Sequence, residues 1–135
     1  MHYRFLDRED EIEEYIASLY AAPILALDIE ADSLYSYQEK VCLLQVSIPS
    51  GNTILDPLTG RNALKDFGYI LANSSVEKVF HGGDYDVRLL KKDYGFEVRN
   101  LFDTMIAAQF TGRIQFGLAA LLEEYFEVRL NKKYQ

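Results

Sequence analysis

The chain predicts a mixed α/β fold, a five-stranded sheet that begins as an antiparallel β-meander and carries helices on both faces. Three observations lead there. The run Ile24-Leu25-Ala26-Leu27-Asp28-Ile29-Glu30 is apolar on both of its alternating faces until the acids appear, which marks a central strand covered from two sides. Two further apolar runs, over 41–48 and 53–56, flank Pro49-Ser50-Gly51-Asn52, residue types that make a hairpin turn. Beyond residue 64, stretches of helical spacing alternate with short apolar runs.

Taken in order, Ile12, Tyr15, Ile16 and Leu19 give a helix over 8–20, with Glu9, Asp10 and Glu11 at the positive end of its dipole. Pro23 prevents its continuation. After the central strand, 31–40 reads as a polar loop. The two hairpin strands follow, and Pro57 blocks extension of the second. Leu64, Phe67, Ile70 and Leu71 define an amphipathic helix, and 76–80 the fourth strand. That strand passes through His81-Gly82-Gly83 into a helix over 84–94, which Gly95 should end as a C-terminal glycine cap. A fifth strand is expected near 97–101, then helices over 104–110 and 118–126. On the last of these, Leu118, Leu121, Leu122 and Tyr125 form one stripe expected to face the core.

The 135 residues suit one domain, 1–135, with no internal repeat or linker. Fourteen Lys and Arg against 21 acids leave a net charge of -7, so no general basic field is available to hold a polyanion. Any nucleic-acid contact must therefore be local and metal-assisted. The single cysteine, Cys42, cannot form an internal disulfide, and a reducing, cytoplasmic setting is expected. The longest apolar run, 21–27, is far too short to cross a bilayer, so no membrane partner is expected.

Asp28 and Glu30 project from one face of the central strand, where two like charges are costly unless a cation compensates them. A hard divalent ion, Mg²⁺ or Mn²⁺, is the natural compensation. The plainer alternative ends the strand at Leu27 and leaves both acids in solvent. Asp86 shifts the balance. Within the helix it shares a face with Leu89 and Leu90, and the Gly82-Gly83 connection should bring it near the sheet end where the other two acids emerge. Its competing reading is a surface pair with Arg88 or a lysine. Asp84 is expected to cap the helix, Asp93 to face solvent, and Asp103 to be the N-cap of the helix over 104–110. His81, beside two glycines, reads as a hydrogen-bonded structural residue.

These stretches resemble a known family. Leu27-Asp28-Ile29-Glu30 with Leu34 resembles the first motif of the DEDD superfamily of 3′-to-5′ exonucleases, and Phe80-His81-Gly82-Gly83-Asp84-Tyr85-Asp86 with Leu89-Leu90 resembles the second. Leu55-Asp56-Pro57, Phe102-Asp103-Thr104-Met105-Ile106-Ala107 and Glu123-Glu124-Tyr125 resemble stretches of its ribonuclease D branch. The resemblance implies a ribonuclease H-like fold and release of nucleoside monophosphates from a nucleic-acid 3′ end, with RNA favoured over DNA, by two Mg²⁺ or Mn²⁺ ions. By the same resemblance, Asp28 bridges the two metals, Glu30 binds the one that activates water, and Asp86 supports the second. Leu34 would press on the terminal bases, while His81 and Gly82 would lie along the nucleic-acid backbone. The family's third motif, with a fourth catalytic aspartate, has no match here, since Asp103 is the last aspartate. Little or no exonuclease activity is therefore expected of this chain, together with self-association through apolar surface that the missing helix would cover. A binding module for nucleic acid or protein, with the same fold and no catalysis, is the alternative. A receiver-like phosphoacceptor built on Asp56 conflicts with the antiparallel hairpin.

Overall fold

The computed structural model describes residues 2–32 and 39–131. Among them, six strands form one sheet in the order β1-β4-β3-β2-β5-β6. The strands are β1 (Tyr3–Leu6), β2 (Ile24–Ala31), β3 (Val41–Ile48), β4 (Gly51–Leu55), β5 (Glu77–Phe80) and β6 (Leu101–Asp103). The helices are α1 (Glu9–Leu19), α2 (Leu64–Ala72), α3 (Asp84–Tyr94), α4 (Thr104–Phe110) and α5 (Leu118–Phe126). β2, β3 and β4 are the expected meander, antiparallel throughout, whereas β5 joins β2 in parallel. Gly95 ends α3 in the left-handed conformation at φ 71°, as a glycine cap requires.

Two strands differ from the sequence reading. The sheet has a sixth strand, β1, pairing in parallel with β4 from Tyr3↔Asn52 to Leu6↔Leu55. Only Leu6 of its four residues is buried, so pairing with a distant strand, rather than its own pattern, makes it a strand. The strand expected near 97–101 lies instead at Leu101–Asp103. Asn100 adopts φ 53°, and its carbonyl accepts the Lys78 N–H at 2.9 Å, so extended pairing with β5 begins only after that turn.

The core lies on one side of the sheet. Leu25, Leu27 and Ile29 of β2 are buried and alternate with the more open Ala26, Asp28 and Glu30. Against them pack Ile12, Tyr15, Ile16 and Leu19 of α1, Leu64, Phe67, Ile70 and Leu71 of α2, and Leu89 and Leu90 of α3. Contrary to expectation, the stripe on α5 does not join this core. Neither α4 nor α5 has a buried residue, and Leu118 and Tyr125 are exposed. Leu121, Leu122, Ala107 and Ala108 instead line an apolar groove of about 360 Å³ with Phe102 and His81. Helical spacing shows which side chains share a face, but not whether anything covers that face.

Lys78 is an unexpected member of the core. It is fully buried opposite Leu25, and its Nζ donates to the carbonyls of Asn73, the C-cap of α2 (2.6 Å), and of Val76 in the turn before β5 (2.7 Å). Burial lowers its pKa. The helix C-terminus gives the charge its favourable environment. Lys78→Met keeps the aliphatic volume but removes the donor to the Val76 carbonyl and leaves the Asn73 carbonyl with only the Val76 N–H, and should cost about 1–3 kcal/mol. Lys78→Ala adds a cavity and should cost about 2–5 kcal/mol. Urea unfolding of both variants measures the difference.

Candidate active site

Asp28 and Glu30 stand near the carboxyl end of β2, on the face away from the core. The register places Asp28 opposite Gln45, whose amide donates to Asp28 Oδ2 at 3.4 Å. Beside them, Ala26, Ser47, Val79, His81 and Thr104 help to line an open pocket of about 410 Å³ that includes Asp28. Desolvation against these walls raises the Asp28 pKa, opposed by the Ile29 amide and by His81.

Asp86 arrives from another element. It occupies the first turn of α3, which leaves β5 at its carboxyl end and is held against the start of β3 by the Val41 N–H donating to Asp93 (2.7 Å). Asp93 therefore does not simply face solvent, as the sequence suggested. Arg88 pairs with Asp84 at 2.7 Å, so the surface pairing considered for Asp86 goes to its neighbour. The Asp86 carboxyl is pushed up to about 6 by desolvation, and then by the charges of Asp28, Glu30 and Asp103. The three acids named from sequence thus share one electrostatic field.

They share a field rather than a closed ligand cluster. Among the described residues, no three His, Cys, Asp or Glu side chains are grouped as they would be around a metal ion. The Asp86 carboxyl is raised to about 6 first by desolvation and then by the charges of Asp28, Glu30 and Asp103, and the charge part of that shift is what a cation would relieve. The donor set is all carboxylate oxygen, which suits Mg²⁺ or Mn²⁺.

The loop between β5 and α3 is fixed by one side chain. Asp103 accepts the Gly82 N–H at 3.0 Å on one oxygen and the Gly83 N–H at 2.9 Å on the other. It also caps α4, accepting from Met105 N–H (2.9 Å) and Ile106 N–H (3.2 Å). Burial alone would raise its pKa, but these four bonds outweigh that and lower it. Sequence reasoning found the cap and missed the loop anchor. A hydrogen bond spanning twenty residues leaves no local pattern.

His81 Nδ1 lies 2.9 Å from Thr104 Oγ1, and that hydroxyl donates to the Phe80 carbonyl at 3.0 Å. With the hydroxyl proton so used, Nδ1 is the donor of the pair. This fits the structural role read from sequence. Gly82 holds φ 70° and spends its N–H on Asp103, so that amide is already engaged. Leu34 lies outside the described residues.

A family model described as 3′-5′ exonuclease matches residues 3–135. The chain is 34% identical over 131 residues to the exosome complex exonuclease RRP6 of Saccharomyces cerevisiae, covering 97% of this chain and 18% of that protein. It therefore spans less than a fifth of the length of that curated relative. The structure is similar to the catalytic core of RRP6 from Trypanosoma brucei, with TM-score 0.92 and 36% identity, covering 99% of this chain and 37% of that one. It is also similar to Escherichia coli RNase D, described as an exoribonuclease involved in structured RNA processing. There the TM-score is 0.86 and the identity 30%, with 98% of this chain and 36% of that one covered.

The raised Asp86 pKa fixes a sign. The folded chain holds this proton more tightly than the unfolded one, so the contribution to stability falls as pH rises from about 4 through about 6. Asp86→Asn should be more stable than the parent above pH 6, by about 1–3 kcal/mol after allowance for solvent screening, with the difference vanishing near pH 4. Denaturant unfolding across that range tests it. Asp103→Ala should act oppositely, costing about 2–4 kcal/mol through lost cap and loop bonds. Amide hydrogen exchange at Gly82 and Gly83 should quicken with it.

Proposed function

Because the chain belongs to the 3′-5′ exonuclease family, we propose that it removes nucleotides from the 3′ end of RNA, with Asp28, Glu30 and Asp86 holding two Mg²⁺ or Mn²⁺ ions. The observation that carries this reading is the Asp86 carboxyl raised to about 6 partly by the charges of Asp28 and Glu30, acids that come from separate elements of the fold. When bound, such ions make a nucleophile from water near neutral pH and neutralise charge on the attacking and departing oxygens. The chain's own part is to present the ligands. Asp28 and Glu30 come from a strand held on both sides by hydrogen-bonded neighbours, and Asp86 comes from a helix whose lead-in loop Asp103 secures. Rigid mounting of this kind keeps reacting groups in line.

RNA is favoured as substrate because two of the proteins this chain resembles are described as an exosome exonuclease and an exoribonuclease. The family likeness gives Leu34 a place against the terminal bases, and His81 and Gly82 a place along the sugar-phosphate backbone. With a net charge of -7, the ions are also what would let a phosphate approach.

Metal binding tests the site without depending on turnover. Mn²⁺ and Mg²⁺ should raise the unfolding temperature of the parent chain, and Asp28→Asn or Asp86→Asn should abolish that increase. The effect should weaken below pH 6, where Asp86 takes up its proton. With a 5′-labelled single-stranded RNA and the matching DNA, shortening from the 3′ end should be weak with only three of the family's four acids present, and whatever occurs should require the ion and favour RNA. Cleavage that persists in EDTA or in Asp28→Asn would refute the proposal.

A further inference from the structure

A second pocket, of about 330 Å³, lies at the β3–β4 turn between β1 and α1. It adjoins the acidic pocket without including its acids, since Asn52 on its wall accepts from Ser47, which lines that pocket. Asn52, on its wall, pairs with Ser47, which pairs in turn with Ala26, so β3 and β4 intervene before β2 is reached. Its inner wall carries two buried hydroxyl side chains, Tyr15 at 7% exposure and Thr53 at 4%. The buried Tyr15 hydroxyl makes no hydrogen bond of ordinary geometry among the described residues, but the Thr53 side chain is near enough to interact with it, and Thr53 and Arg4 partly offset the rise in its pKa that burial causes. A buried hydroxyl left unpaired costs free energy, and natural structures rarely leave one without a ligand or water to meet it.

The remaining lining is rich in donors. Arg4 is exposed at the rim and makes no ion pair among the described residues. The Asn52 carbonyl oxygen accepts from the Ser47 hydroxyl at 2.7 Å, which leaves its amide nitrogen to donate, and Ser50 adds a hydroxyl. No carboxylate lines this pocket, in a chain that holds 21 of them. One guanidinium with several hydroxyl and amide donors matches a tetrahedral oxyanion with four acceptor oxygens. The volume sits at the small end for ligand pockets.

We propose that this pocket binds a phosphate group, held by Arg4 at the rim and by the Tyr15 and Thr53 hydroxyls at the floor. The group comes either from a small phosphate compound or from the backbone of a nucleic-acid strand. Nitrogen-15 NMR titration of the 135-residue chain in EDTA tests this with two probes, inorganic phosphate and a 2′-O-methyl oligonucleotide lacking terminal phosphates. Saturable shifts at the amides of Arg4, Tyr15, Asn52 and Thr53 are expected. Saturation with phosphate alone assigns the site to small phosphates, and saturation with the oligonucleotide assigns it to a strand. Arg4→Gln should weaken binding about tenfold, and Tyr15→Phe should weaken it with the dispersed spectrum of the folded chain retained. Absence of saturable shifts with both probes, or unchanged affinity in Arg4→Gln, would overturn the proposal.

Discussion

The acidic site depends on the way the Asp103 carboxylate gathers four backbone N–H groups. Two belong to the loop that launches α3 and two to the first turn of α4, so a single side chain sets the entry of both helices. The loop has little freedom to comply otherwise. Gly82 must hold a positive φ, and a Cβ on Gly83 would stand 2.5 Å from the Phe80 side chain. Both glycines are therefore explained by one backbone path, and that path delivers Asp86 to the end of β2.

What it delivers is an electrostatic conflict. Asp86 is brought into the field of Asp28 and Glu30, which raises its pKa and works against folding at neutral pH. Stability comes from elsewhere, from a single-sided core in which α1, α2 and α3 press on Leu25, Leu27 and Ile29. The opposite face of the sheet stays open beside the acids. A strand buried on one side and open on the other can hold its shape through the first and present chemistry on the second.

Legibility followed the range of the interaction. Helix α3 was readable to its final residue, because Gly95 is a local signal with a local cause, and the existence of the antiparallel hairpin was readable from the residues at 49–52, although Gly51 and Asn52 pair within β4 and the turn itself is only 49–50. That Asp28, Glu30 and Asp86 come within one electrostatic field was legible because Asp28 and Glu30 interrupt an apolar strand and Asp86 interrupts an apolar helix face. Interactions that join distant segments were not. β1 exists through β4, Asp93 is engaged through Val41, and Lys78 is satisfied by carbonyls beyond the preceding helix. The exposed stripe on α5 failed for a related reason, since an amphipathic pattern specifies a sticky face without specifying its cover.

The short parallel strand β1 has a further consequence. Without it, β4 would end the sheet with an unshielded row of peptide donors and acceptors beside Thr53, Ile54 and Leu55, a template on which a foreign strand could grow. Nearly fifty residues separate the two partners in sequence, so this seal forms after the local hairpin, at a larger loop-closure cost. Until that pairing forms, the outer border of β4 is unguarded, and the four residues Tyr3–Leu6 close it.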